Sequence, residues 1–301
     1  MKFYGKYAPC PKINRILFFV CISILLTCGY AAGLKTADRF FAPLKQRLLS
    51  EKKPAFNAKL INNLFSSPRL TANIKGISRY FKHNEAKLNY DQFLSADSIG
   101  KAKAYMKNHK QELLKAKKEY GVDPAVITAI MLVETRLGAY TGKQSVFGIL
   151  ATMAALADKD ARDFFWSRIH KQTNLTRSRF DKKAKAKAQW AYRELTAYIQ
   201  YTSRDGFDPL ALKGSYAGAL GLAQFMPTNI LTLGRDGNKD GRVDLFNHDD
   251  AIASIAEYLK HYGWKPGINR KTARKAVYNY NHSSYYVDII LKVADRLKAG
   301  S

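Results

Sequence analysis

The stretch VITAIMLVETRLG, Val126 to Gly138, sets one carboxylate, Glu134, in a run that is otherwise almost wholly apolar. Asp123 followed by Pro124 reads as a helix start, because Asp can cap free N–H groups and Pro suits the first turn. At about 100° per residue, Ile127, Ile130, Met131, Glu134 and Gly138 share one face. Arg136 points to the opposite side and cannot pair with Glu134 inside the helix. The acid is therefore expected in the core-facing stripe, where desolvation disfavours its charged form and raises its pKa. A carboxyl kept protonated near neutral pH is what a general acid needs. Gly138 is expected to leave room beside it for a substrate. The alternative is a buried structural glutamate bonded to backbone or to a distant arginine.

Three other segments carry chemistry. KGSYAGALGLAQFMP, Lys213 to Pro227, packs Gly214, Ala217, Gly218 and Gly221 around Ser215, Tyr216 and Gln224. Small residues permit close backbone approach. Ser and Gln supply hydrogen bonds, and Tyr216 and Phe225 supply flat faces, a mixture suited to a sugar; a tight helix–helix crossing would use the same small residues. In DGNKDGRVDLFNHDD, Asp236, Asn238, Asp240 and Gly241 match positions 1, 3, 5 and 6 of a calcium loop. Position 12 is Asn247 instead of Glu, and Asp250 could close the cage from the next helix. A metal-free Asp/Gly-rich turn is the alternative. YNYNHSSYY, Tyr278 to Tyr286, offers aromatics with Asn and Ser for carbohydrate stacking, or simply packing.

The elements that must position these residues are mostly helical. SADSIGKAKAYMKNHKQELLKAKKEYGVD reads as helix stopping at Gly121; KKAKAKAQWAYRELTAYIQY, DDAIASIAEYLKHYG and YVDIILKVADRLKAG read as three more. Strand-like alternation is scarce, leaving room for a tiny sheet at most. The fold class is mainly α, a single domain over residues 60–301. Residues 32–59, basic and with Pro43 and Pro54, read as a tether with some helix.

The chain has 301 residues, 50 Lys and Arg against 24 Asp and Glu, and a net charge of +26. Such an excess suits polyanionic surroundings: nucleic acid, anionic lipid or wall polymer. Lys2, Lys6, Lys12 and Arg15 precede the apolar run Ile16 to Leu26 and then TCGYAAG, the order of a secretory signal. Residues 1–31 are read as a signal peptide or an uncleaved N-terminal membrane anchor; a lipoprotein site at Cys28 is disfavoured by Thr27 before it. Either way the body is expected outside the cytoplasm, in the periplasm. Cys10, Cys21 and Cys28 all lie in the leader, so disulfide and thiol chemistry are excluded from the body. No helix-turn-helix or RNA-binding signature supports a nucleic-acid partner. The densest basic patch is KKAKAKAQW, read as a solvated helix face, with attraction to an anionic wall or membrane surface as the other possibility.

Taken together, GVDPAVITAIMLVETRLG, FGILATMAALA, KGSYAGALGLAQFMP, the acidic loop before DAIASIAEYLKHYGW, and YNHSSYY resemble the membrane-bound lytic murein transglycosylase B family. KLNYDQFLSADSI resembles its upstream segment. The resemblance implies a lysozyme-like helical domain with an EF-hand-like calcium loop. It implies cleavage of the β-1,4 bond between N-acetylmuramic acid and N-acetylglucosamine in peptidoglycan, by one carboxyl and without added water. Glu134 matches the catalytic acid/base. Ser215, Gln224, Tyr258, Tyr280, Asn281 and Tyr286 match saccharide contacts, as does Tyr90 if one gap is allowed. Asp236, Asn238, Asp240, the Arg242 carbonyl and Asp250 match a structural Ca2+ site; no cofactor is implied for catalysis. The implied partners are peptidoglycan glycan strands, with no nucleic acid, and the protein is expected to be a monomer. Between Asp123 and Asp158 the only acid is Glu134, compatible with a one-carboxyl mechanism where ordinary glycosidases need a pair. Only KPGINRKTAR separates HYGW from KAVYNYN, where better-known members carry a long insertion. A hydrolytic muramidase and a non-catalytic wall-binding protein are the competing readings.

Overall fold

The computed structural model describes residues 39–82 and 89–299. The expected leader, with its three cysteines, lies outside the described residues. No helix among the described residues is long and apolar enough to cross a membrane.

Two helices are apolar on nearly every side, and for that reason they form the centre. Helix α6, Pro124–Thr135, buries every residue from Ala125 to Leu132. Helix α7, Val146–Ala155, buries all of its residues. Around them run α2 (Ala58–Ser66), α3 (Ile74–Lys82), α4 (Ala96–Asn108), α5 (Lys110–Tyr120), α8 (Lys159–Ile169), α9 (Arg177–Arg204), α10 (Pro227–Leu233), α11 (His248–His261), α12 (Arg270–Tyr280) and α13 (Ser284–Lys298). Helix α13 packs along α6, and α9 packs along α7 and α10. The small sheet is a two-residue antiparallel pair, β1 (Gln144–Ser145) with β2 (Lys213–Gly214).

The start of α6 follows the sequence reading. The Asp123 carboxylate accepts from the Ala125 N–H at 2.9 Å, and Pro124 opens the helix. Gly121 ends α5 with φ 73°, as the Gly stop predicts. The single helix expected upstream of it is two helices, broken at His109 (φ −109°, ψ 34°). The cause is tertiary: the His109 ring stacks on His248 with centroids 4.4 Å apart and meets Tyr105 at 4.3 Å. On α9, Lys182, Lys183 and Lys185 are exposed while Ala184 and Ala188 face inward, so KKAKAKAQW is a solvated face.

One expectation is corrected. Much of the segment read as a basic tether is structural: residues 39–50 form a helix, here α1, that buries Phe40, Phe41, Leu44 and Leu48. Phe41 meets Phe65 of α2, which meets Phe147 of α7, at centroid distances of 6.0 and 5.6 Å. Tyr192 of α9 donates to Glu51 at 2.7 Å, and Arg47 lies over its ring. Arg39, Lys52 and Lys53 face water, and the apolar residues of α1 complete the core. Leu48 is wholly buried, so Leu48→Ala should lower the unfolding free energy by about 2–5 kcal/mol in urea titration. A tether would lose nothing.

Candidate active site

Helix α6 leaves the core at its last turn. Ile127, Ile130 and Met131 are wholly buried, whereas Glu134 is only half-buried. The carboxylate therefore opens toward solvent at the helix end instead of lying sealed in the stripe. The chain then turns away abruptly through three consecutive positive-φ residues, Arg136 (51°), Leu137 (60°) and Gly138 (99°). Gly138 is thus outside the helix, and its expected role is corrected. A side chain there would be strained by φ and would meet Leu222 at 2.9 Å, so the glycine serves backbone packing, not a substrate space. Arg136 does point away from Glu134, donating to the Gln92 side chain at 2.7 Å.

Thr135 fixes this end. Its hydroxyl donates to the Leu222 carbonyl at 3.1 Å and to Met131 O at 3.2 Å, and it accepts from the Gly138 N–H at 3.1 Å. The glycine-rich block is thereby fastened to the turn that carries Glu134. That block relies on close backbone approach, as its composition predicts. A Cβ on Gly214 would lie 2.2 Å from Ala219 O, and one on Gly221 would lie 2.4 Å from Leu245 O. The block is also anchored from α9. Met226 gives α10 no side-chain cap, and the buried Glu194 carboxylate accepts instead from Thr228 N (3.0 Å) and Thr228 Oγ1 (2.9 Å).

Opposite Glu134 stand tyrosines. Tyr286, 1% exposed in the first turn of α13, donates its hydroxyl to Glu134 Oε1 at 2.6 Å. Tyr280 stacks nearly parallel to it, 6.3 Å away and 10° off, and donates to Ala223 O at 2.5 Å. Tyr258 meets Tyr280 at 4.8 Å and donates to Asn279 O at 2.6 Å. Phe225 and Tyr262 extend the cluster, 5.4 and 4.7 Å from Tyr258. Burial, first, and the negative charge of Glu134, second, push the Tyr280 and Tyr286 hydroxyls well above the usual tyrosine pKa. Both stay protonated donors. Among the described residues, Glu134 is the one carboxylate whose charge acts on either.

The other expected contacts divide. Tyr90 is half-buried against the core at the start of a single 3₁₀ turn, Asp91–Leu94. Asn281 is half-buried and ends α12 beside Tyr280. Gln224 adopts φ 48° and donates to Thr141 O at 3.2 Å and Gly221 O at 2.8 Å. The Ser215 hydroxyl is turned into its own loop, accepting from Ala217 N and Ala219 N at 3.2 and 3.0 Å. Sequence reasoning missed Thr135 and Tyr262. The signals were present: a Thr able to bond the carbonyl four residues back, and a Tyr four residues after Tyr258 on one helix.

The acidic loop adjoins the glycine-rich block, where the Leu222 N–H donates to Leu245 O at 2.8 Å. Asp236 accepts from Asp240 N and Gly241 N at 3.2 and 2.8 Å. Asp250, wholly buried in the first turn of α11, accepts from Gly237 N (2.8 Å), Asn238 N (3.4 Å) and Asp244 N (2.6 Å). Asn238 donates to Asp240, and Arg242 stacks over Phe207. Among the described residues, no three Asp, Glu, His or Cys side chains gather closely enough to hold a metal ion. The loop's donors are all oxygens, the ligand type calcium takes, so the fit is one of donor chemistry and not of a preformed cage.

Known proteins are similar to this chain in sequence and in fold. Membrane-bound lytic murein transglycosylase B of Escherichia coli K12 is 31% identical over 185 residues, covering 61% of this chain and 44% of that protein. The chain thus spans less than half the length of that relative. The crystal structure of E. coli lytic transglycosylase Slt35 in complex with calcium superposes with a TM-score of 0.67 at 21% identity, covering 88% of this chain and 93% of that one. That of SltB3 from Pseudomonas aeruginosa in complex with NAG-anhNAM-pentapeptide gives 0.68 at 18%, covering 87% and 79%. These likenesses establish the lysozyme-like helical fold of lytic transglycosylases. The Transglycosylase SLT domain family matches residues 38–275, from α1 through most of α12, and the chain belongs to that family.

Proposed function

We propose that the protein is a lytic transglycosylase. It cleaves the β-1,4 bond from N-acetylmuramic acid to N-acetylglucosamine and leaves 1,6-anhydro-muramyl ends. The observation that carries this reading is a lone carboxyl at a helix end, half-open to solvent, with a buried tyrosine hydroxyl 2.6 Å from one oxygen. The relatives' names and the SltB3 complex with a NAG-anhNAM-pentapeptide support the substrate class.

Glu134, protonated, gives its proton to the glycosidic oxygen as the bond to muramyl C1 breaks, and positive charge builds at C1. The carboxylate then takes the proton of the muramyl 6-hydroxyl, whose oxygen closes on C1. One proton enters and one returns, with no water consumed. The Tyr286 hydroxyl bonds the carboxylate through both steps. It favours the charged form that follows proton donation and holds the other oxygen's direction. The half-buried Tyr280, Asn281 and Gln224 offer a sugar its stacking and bonding surfaces, with Tyr90 at the edge and the buried Tyr258 and Phe225 packed behind Tyr280. The glycan strand is the partner. Export through residues 1–31, to the periplasm or its membrane, agrees with the relative's membrane-bound name. The exposed lysines of α9 favour an anionic wall or membrane surface.

Digestion of purified sacculi, with mass spectrometry of the muropeptides, tests the reaction. Wild type should release anhydro species, and Glu134→Gln should lose at least about 10²-fold in rate, the scale of general acid–base catalysis. Reducing ends in place of anhydro ends would establish the hydrolytic reading, and undiminished activity in the variant would remove Glu134 from catalysis.

Tyr286→Phe should lower kcat about tenfold, by loss of one hydrogen bond to a charged group. It has a pH signature as well. The hydroxyl favours the ionised carboxylate, so without it the carboxyl keeps its proton to higher pH. The alkaline fall of kcat/KM should therefore move upward; a profile left in place would deny the bond a role in catalysis.

For the acidic loop the proposal is a structural Ca2+ ion on Asp236, Asn238, Asp240, the Arg242 carbonyl and Asp250. Its support is the oxygen-only donor set and the calcium complex of Slt35. At a calcium concentration ~100-fold above Kd, folding should gain about 2.7 kcal/mol, read as a higher Tm that a chelator reverses and Asp236→Ala abolishes. Equal melting with calcium and with chelator would exclude the ion.

A further inference from the structure

The outer face of α9 carries a stripe of cations. At about 100° per residue, Arg179, Lys182, Lys183, Trp190 and Arg193 fall within about 50° of one line. They cover about 21 Å of helix. The four cations are exposed and Trp190 is half-buried. Ala186, on the same line, is exposed and small, so nothing bulky stands between them. On the inner side Ala184, Ala188 and Leu195 are buried, and the helix packs along α7.

The charge of this stripe is uncompensated. Among the described residues no carboxylate forms an ion pair with any of its four cations. The acids of the same helix are engaged elsewhere. Asp181 turns the other way and accepts from Arg177 at 2.8 Å, and the buried Glu194 is committed to Thr228. The Trp190 indole sits beside Lys187, whose ammonium lies 5.3 Å from the ring centroid. A plane of negative charge matches such a stripe. Each Lys or Arg close to an anionic lipid surface strengthens binding about fivefold, and an indole edged by cations suits headgroup depth.

The position of the stripe selects a bilayer over the wall. Residues 32–38 join the segment read as leader or anchor to Arg39, the first residue of α1, and even fully extended they reach at most about 29 Å. Helix α1 lies on the α8–α9 pair. Phe40 meets Phe164 of α8 at 5.4 Å, and Arg47 and Glu51 hold Tyr192 of α9. The chain therefore enters the folded body beside α9, whereas Glu134 stands where α6 meets α13. We propose that the outer face of α9 seats on a bilayer of anionic phospholipid and leaves the Glu134 carboxylate turned to the wall. The proposal narrows the surface reading above to one partner and takes its choice of bilayer from residues 1–31.

Amine labelling of the full chain, read lysine by lysine by mass spectrometry, tests the contact. The surfaces compared are vesicles of phosphatidylglycerol with phosphatidylethanolamine, vesicles of phosphatidylcholine, and purified sacculi. On the anionic vesicles, labelling of Lys182 and Lys183 should fall at least about fivefold relative to phosphatidylcholine. The protection should vanish at 1 M salt, where charges act over only about 3 Å. Lys117 and Lys118, exposed on α5, should label equally on both vesicles. The double variant Arg179→Gln, Arg193→Gln should lose the protection of Lys182 and Lys183. The double variant Lys117→Gln, Lys118→Gln, which removes the same charge elsewhere, should keep it. Equal labelling of α9 on both vesicles, equal protection of Lys117 and Lys118, or protection on sacculi alone would overturn the proposal. Release from phosphatidylcholine together with protection on the anionic vesicles would defeat the membrane reading of residues 1–31 while supporting the α9 contact.

Discussion

The hydrogen bond between Tyr286 and Glu134 joins the beginning of α13 to the end of α6, one of the two helices that form the centre of the core. The constraint behind it is severe. In the proposed reaction a single carboxyl has to be sheltered enough to hold a proton, open enough to meet a glycan, and rigid enough to serve two successive proton transfers. Helix α6 meets the first and third demands by being apolar on all sides up to Leu132, so its axis is fixed by packing. It meets the second by emerging from the core within a single turn. Tyr286 then fixes the carboxyl's direction from the opposite wall. That tyrosine cannot compete for the proton, because burial and the adjacent acid both hold its own proton in place.

The surrounding architecture maintains this geometry at a cost in backbone strain. Among the described residues, the non-glycine residues with positive φ are Arg136, Leu137, Gln224 and Lys239, and three of them border the candidate site. Each such residue costs on the order of 1–3 kcal/mol and persists only where its neighbours over-determine it. Thr135 supplies that constraint at the α6 end, by tying it to Leu222. The glycine-rich block supplies it at Gln224, where backbone segments approach too closely for any side chain at Gly214 or Gly221. Glu194 holds the far end of the same block by capping α10 from α9. A helix on the far side of the core thus helps to set the position of Gln224 and Phe225.

How much of this could be read from the sequence depended on whether the governing physics was local. The helix start at Asp123–Pro124 and the close packing of the glycine block follow from capping and side-chain size, and the structure agrees; Glu134, expected inside the core stripe, stands half-buried where α6 leaves the core. The helix break at His109 follows from a ring stack with a residue far along the chain, which periodicity cannot show. Residues 32–59 read in sequence as a tether with some helix because Pro43, Pro54 and the basic residues mask the spacing of Phe40, Phe41, Leu44 and Leu48, which acquires meaning only against Phe65 and Phe147. A 100° count carries Gly138 onto α6 because it runs past the turn that begins at Arg136. The tyrosine wall was present in outline as Tyr258, Tyr280 and Tyr286, but the bond from Tyr286 to Glu134 spans 152 positions and is a property of the fold.

The central claim is that one carboxyl, held in this way, breaks the glycan without water. Digestion of sacculi in H₂¹⁸O tests it most directly. The account predicts muropeptide products with 1,6-anhydro ends and no ¹⁸O at the cleaved muramyl carbon. Incorporation of one ¹⁸O per cleavage, in reducing ends, would contradict it.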